Sequence, residues 1–343
     1  MDRGILASWS FSFFALACSG VHALPPIPEQ SGWSGYVNLG AGAASSENNM
    51  VNAIGSFDLG NERVSSLNQG PDSEDLVLPA LYFELGYTLA DMRTQFYVGN
   101  QAADYLSFDL ETTLETEAGV RQEIGRVGTV SVALIASTLA TKVWKDPYEV
   151  DVPRGDTERT SSGIFIAWDR IFDTQLEFQY RAKEIEIDDE ESGTALGLSD
   201  EQRRLLRRTG NFYRLNLSYR WEINTRNELV PGITYLDFDL DGDAMAEDGF
   251  GAQLKYSYRA DDWRLVTRVF YQRLESNTPN PIYDKHREMD SLGGSITGLF
   301  PEPFGWKNWT ANATVAANEG DSNINFYDTS LWMVSAGMLY RFD

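Results

Sequence analysis

Along most of this chain apolar and polar residues alternate one for one. Leu81, Phe83, Leu85, Tyr87 and Leu89 share a parity, with Glu84 and Thr88 on the other. Tyr213, Leu215, Leu217, Tyr219 and Trp221 oppose Arg214, Asn216, Ser218 and Arg220. Phe250, Ala252, Leu254, Tyr256 and Tyr258 oppose Gln253, Lys255, Ser257 and Arg259. Successive side chains of a strand point to opposite faces, so each set predicts one side of a β-sheet. Segments of this kind centre near residues 38, 84, 96, 119, 132, 166, 180, 216, 233, 254, 268, 296, 313 and 336.

A soluble sandwich alternates in the same way, so the connections have to decide. They run long and short in turn: 44–78 is long and 90–92 tight, 138–160 long and 169–174 short. The pattern continues with 188–209 and 222–227, then 260–262 and 275–290. Long outer loops and short periplasmic turns predict an all-β fold, a transmembrane antiparallel β-barrel of about fourteen strands. With both termini on the periplasmic side the count must be even. Twelve and sixteen stay open, because 108–113 is ambiguous. Trp168, Trp221, Trp263 and Trp309 fall beside the short turns, where an interfacial aromatic girdle belongs. Val334, Ala336, Met338, Tyr340 and Phe342 alternate to a terminal aromatic. That segment resembles the signal by which the barrel-assembly machinery recognises outer-membrane proteins, with Asp343 one residue beyond the usual final Phe.

The mean hydropathy of −0.34 points at first to a soluble protein. A barrel strand shows lipid only at every second residue, so the average is diluted and misleads. The formal net charge of −23 has the wrong sign for a nucleic-acid partner. An export signal opens the chain: Arg3, an apolar run over 5–17, then Val21-His22-Ala23 with cleavage expected after Ala23. The expected organisation is a signal peptide over 1–23, a periplasmic lead-in over 24–32 and a barrel over 33–343. Acylation of Cys18 is the competing reading, but Ala15-Leu16-Ala17 has its large apolar residue in the wrong place. Cys18 is the single cysteine, so cleavage leaves no disulfide or thiolate chemistry.

Several segments resemble a family of Gram-negative outer-membrane proteins classed only as a domain of unknown function. They are Pro26-Ile27-Pro28-Glu29-Gln30-Ser31-Gly32, Ala167-Trp168-Asp169-Arg170-Ile171-Phe172 and Asp239-Leu240-Asp241-Gly242-Asp243-Ala244-Met245. Phe304-Gly305-Trp306-Lys307-Asn308-Trp309 and Asp321-Ser322-Asn323-Ile324 complete the set. The resemblance spans the mature chain and implies an outer-membrane barrel in contact with lipid and lipopolysaccharide. It supplies no activity.

Catalysis is not expected. Enzymatic outer-membrane barrels depend on a histidine base, and His286, alone after cleavage, lies between basic neighbours without a serine two residues away. Arg93, Arg121, Arg181, Arg214, Arg220, Lys255 and Arg268, with Glu115 and Glu117, fall on the parity predicted to face a lumen. Unpaired charges in a dry core are costly, so such an interior is hydrated or internally paired. It predicts a passive porin-like channel for small hydrophilic solutes, anionic ones if the basic face is unpaired. The alternatives are a plugged barrel that acts through its outer loops and a transporter of hydrophobic ligands.

No cofactor is expected beyond one candidate. Asp237, Asp239, Asp241 and Asp243, with Gly242 among them and Asp248 at the twelfth position, match half of a calcium loop or form an acidic, solvated turn. Calcium would bind there in the ~10⁻⁴–10⁻³ M class of extracellular modules. Ser199-Asp200-Glu201-Gln202 forms a capping box, predicting a helix through Arg208. Its Arg203, Arg204, Arg207 and Arg208 would grip lipopolysaccharide phosphates, constrict a pore, or pair with Glu190 and Glu191.

Overall fold

The computed structural model describes residues 26–55, 57–100 and 115–342. The expected signal peptide, the ambiguous 108–113 and Asp343 lie outside them. Fourteen antiparallel strands close on themselves. They are β1 (Gly32–Glu47), β2 (Ser73–Leu89), β3 (Thr94–Asn100), β4 (Glu115–Ile124), β5 (Gly128–Ser137), β6 (Asp156–Asp169) and β7 (Leu176–Ile187). The second half comprises β8 (Gly210–Tyr219), β9 (Asn227–Leu240), β10 (Glu247–Arg259), β11 (Arg264–Ser276), β12 (Glu288–Pro301), β13 (Trp309–Ser322) and β14 (Thr329–Phe342). Each pairs with its neighbours in sequence, and β1 pairs with both β2 and β14, so among the described residues no edge strand is left. Closure satisfies the backbone N–H and C=O groups inside the sheet, as a lipid environment requires.

The outer surface has the chemistry of a bilayer contact. Leu39, Leu81, Leu134, Ile233, Leu292 and Val315 are exposed along the strands, an arrangement that water would disfavour over so large an area. Aromatic pairs flank that band at the periplasmic end: Trp33 with Tyr87, Trp168 with Phe172, Tyr258 with Trp263 and Trp309 with Tyr340. Three of the four expected girdle tryptophans are in these pairs, and Trp221 is exposed at the end of β8.

Several strands outrun their expected bounds, so some outer loops are shorter than the sequence pattern indicates. The β1–β2 loop, for example, starts after Glu47 rather than at Ala44. Within it Val51–Ile54 pairs with Thr141–Trp144 of the β5–β6 loop, which in turn pairs with the start of β6. These pairings extend the sheet from β6 through the β5–β6 loop into the β1–β2 loop. The expected helix through Arg208 is a single turn, Asp200–Arg204. Its capping box forms as predicted, but the chain leaves the helix at Leu205 because Leu206 is drawn into an apolar core.

Candidate functional site

Among the described residues, many side chains that point into the barrel are buried and paired. On β2 to β7 the inward positions alternate long charged residues with small ones. Ser131, Ala133 and Ala167 are small and buried on β5 and β6. They leave room for residues of β4 and β7 to meet along the wall, across three strand spacings of about 4.8 Å each. Lys183 Nζ lies 2.5 Å from Glu115 Oε1, and Arg181 donates to Glu117 at 3.3 Å. Arg121 forks onto both oxygens of Glu84, at 2.8 and 2.7 Å, and donates to Gln95 at 3.1 Å. The same guanidinium stacks on Tyr97, 3.8 Å from the ring centroid. Arg220 donates to Glu177 at 2.8 Å and faces Glu228 at 3.7 Å. Arg121 and Glu117 are each only 1% exposed, whereas a side chain lining a water-filled pore would be wet.

The remaining predicted lumen residues also face inward. Lys255 is buried, and the Arg214 and Arg268 guanidiniums lie beside the Phe212 and Phe270 rings, at 5.6 and 5.8 Å. The wall from β12 through β14 to β1 carries mostly small or neutral groups, with Arg341 near Glu84 as a charged exception. Thr297 bonds Thr314 at 2.9 Å, Asn312 donates to Asn38 at 2.7 Å, and Ser295 is buried beside them. A charged wall therefore faces a wall of hydroxyls, amides and glycines.

Both ends are covered. At the periplasmic mouth the Arg93 guanidinium, paired with Glu123, donates to the carbonyls of Ile27 at 3.0 Å and Pro28 at 3.1 Å. Ile27 is 2% exposed, so the lead-in is tucked against the mouth instead of trailing from it. Arg170 also approaches Glu123, at 3.4 Å.

At the outer end the loops share a core of their own. Val64, Tyr148, Leu206, Met245, Ile324, Phe326 and Tyr327 form it, one from each of four connections and three from the β13–β14 connection, with Ile282 and Tyr283 of a sixth packed alongside. Tyr148 and Tyr327 exchange a hydrogen bond of 2.7 Å, and Asn280 donates to Tyr327 at 2.8 Å. Burial pushes both phenols above their ordinary value, which keeps them protonated and able to donate. Arg287 bridges this core to Glu247 at 2.6 Å, and Arg154 ties three loop carbonyls together. Of these cap residues the sequence singles out only Met245 and Ile324, as ends of segments that carry the family resemblance. The available signal was their type: Tyr148, Met245, Phe326 and Tyr327 are too apolar for solvated loops.

The aspartates that match half of a calcium loop are spread over two strands and a turn. Among the described residues no three or more His, Cys, Asp or Glu side chains converge on a metal-sized space. Asp237 and Asp239 stand on β9, and Asp248 lies across the ladder on β10, opposite Asp237. Asp241 accepts from Thr209 at 2.7 Å, Asp248 from Tyr235 at 3.4 Å, and Asp243 is exposed. Gly242 serves packing instead: a Cβ there would sit 2.4 Å from the backbone nitrogen of Arg207. The arginine stripe is also divided. Arg208 turns inward onto Glu190 at 2.8 Å, while Arg204 and Arg207 are exposed. His286 is an exposed loop residue whose Nδ1 lies 2.9 Å from the Ser276 carbonyl.

Residues 32–341 match the model of a family described as a protein of unknown function, DUF2860. The chain belongs to that family. No curated protein matches it. The DUF2860 barrel is similar in structure to the outer membrane channel DcaP of Acinetobacter baumannii, with a TM-score of 0.44, 8% identity, and coverage of 94% of this chain and 100% of that one. It is also similar to a Pseudomonas aeruginosa FadL homologue, with a TM-score of 0.43, 12% identity, and coverage of 90% and 89%. For the P. putida toluene transporter TodX the TM-score is 0.44, the identity 11% and the coverage 90% of both chains. Likenesses of this degree carry nothing about cargo. The DUF2860 chain is a closed antiparallel β-barrel with an apolar outer surface.

Proposed function

We propose that this barrel is a gated conduit for small hydrophilic solutes, closed in the state described and opened when the outer cap loosens. The observation that carries the proposal is the polar interior beneath an apolar cap. Buried ion pairs rarely stabilise more than well-packed apolar residues would, so a barrel that only had to be filled would gain little from them. A passage for hydrated solutes does need such groups, because they replace water around the solute as it crosses. The Arg214, Lys255, Arg264 and Arg268 side chains on β8, β10 and β11 favour anions in the open state. A freely open porin fits the structure less well than a gated one.

The full burial of Arg121, Glu117 and Lys183 favours a second reading, a permanently filled barrel that acts only through its outer loops. Planar-bilayer conductance separates the two. Wild-type protein is expected to stay mostly closed. The Tyr327→Ala/Arg287→Ala variant, which removes the centre of the cap, should give stable openings with a reversal potential of anionic sign. If that variant inserts as a folded barrel and conducts nothing, the conduit is refuted and the filled barrel stands.

A further inference from the structure

The β7–β8 loop holds a cleft of about 270 Å³. Its lining consists of charged and hydroxylic residues alone, with neither an aromatic platform for a base nor an apolar wall for a hydrocarbon. The segment 190–195 forms one side and 200–207 the other. Both sides are held from behind. The buried Asp146 carboxylate accepts from the Gly193 and Ala195 backbone at 2.9 and 2.8 Å, which fixes the first side. Leu206 in the cap core and Gly242 against Arg207 fix the second.

The charges in this cleft are unequally used. Glu190 is already taken by the backbone and side chain of Arg208, at 2.9 and 2.8 Å, and by Ser192 at 3.1 Å. Arg203 is held by Asp200 and Thr194. Arg204 and Arg207 are exposed, and their guanidiniums make no hydrogen bond among the described residues. Two unengaged guanidiniums on one side therefore face Glu191 and the Thr194 hydroxyl on the other. Guanidiniums bind phosphate through parallel N–H donors, and a carboxylate beside a hydroxyl suits the hydroxyl or amino groups of a sugar.

We infer that this cleft binds a phosphorylated saccharide, with phosphate on Arg204 and Arg207 and sugar hydroxyl or amino groups on Glu191 and Thr194. The inference is independent of whether the lumen opens. The same chemistry occurs in free sugar phosphates and in the glycolipid headgroup of an outer leaflet, and the test separates them. Detergent-folded full-length protein would be titrated with glucosamine 6-phosphate by calorimetry. In parallel, phenylglyoxal modification of Arg204 and Arg207 would be followed by mass spectrometry in vesicles with and without lipopolysaccharide.

Saturable binding that weakens at least tenfold in Arg204→Glu/Arg207→Glu, but not in the Arg226→Glu control on a periplasmic turn, supports a soluble ligand. Protection of both arginines only in lipopolysaccharide vesicles supports the headgroup. If neither probe binds or protects, or if binding survives the double charge reversal, the site does not exist.

Discussion

At the scale of single residues the interior is a set of interlocked charges, each depending on a partner. Arg121 is the most committed: its guanidinium forks onto Glu84, donates to Gln95 and stacks on Tyr97. Removing one member of a buried pair strands the other, at roughly 3–5 kcal/mol. Arg121→Met is therefore expected to lower unfolding stability in urea by about that much, and Glu84→Gln in the same chain to recover a large part of it. A double-mutant cycle measures the coupling, and additive losses would mean the pair is not coupled. The aspartates of β9 and β10 make the opposite case. They accept from Thr209 and Tyr235 and do not converge, so millimolar calcium should leave the thermal unfolding midpoint unchanged. A calcium-dependent rise that disappears in Asp239→Asn/Asp241→Asn would restore the metal.

At the scale of elements, the segments that carry the family resemblance turn out to be joints. The 167–172 and 304–309 segments are periplasmic turns in which Arg170, Phe172, Phe304 and Asn308 take positive φ, a costly conformation for side chains with a Cβ. The 239–245 segment is the tip that locks the β9–β10 loop into the cap. Gly242→Ala should loosen that tip, because the added carbon would fall 2.4 Å from a backbone nitrogen. The expected outcome is faster protease cleavage within 241–246, with the barrel still migrating as a folded species. The 26–32 segment is the lead-in clasp. Arg93→Ala removes the donor to Ile27 and Pro28 and should expose the lead-in to aminopeptidase, while Arg126→Ala, on a neighbouring turn and largely solvated, should not.

At the scale of the whole molecule, a ladder-bonded wall supports a cap of very different stability. The wall is held by continuous strand pairing, the cap by one apolar cluster and a few buried polar bonds. Hydrogen exchange should accordingly show two classes: slow amides throughout β8 to β14, and faster ones in the 138–155 and 277–287 loops. In Tyr327→Ala only the loop class should accelerate. Uniform acceleration of wall and cap would mean that the cap does not open as a separate unit.

The sequence by itself determined the barrel. Strand parity has a period of two and loop length alternates in sequence, so both are local properties, and all fourteen expected strand centres fall within observed strands. The same locality told which charges face inward, because parity assigns a face. It did not tell which charges meet. The Arg181–Glu117 and Lys183–Glu115 contacts depend on the shear between strands and on small residues elsewhere on the wall, and alternation along a single strand encodes neither. The cap was hidden for a related reason. Its residues come from six loops with no common period, and only the closed wall brings Tyr148, Asn280 and Tyr327 together. Spacing shows which carboxylates are near in sequence, whereas coordination needs several of them to converge, and that is set by the strands that carry them. Tertiary structure alone decided which of the described interior charges are paired and packed.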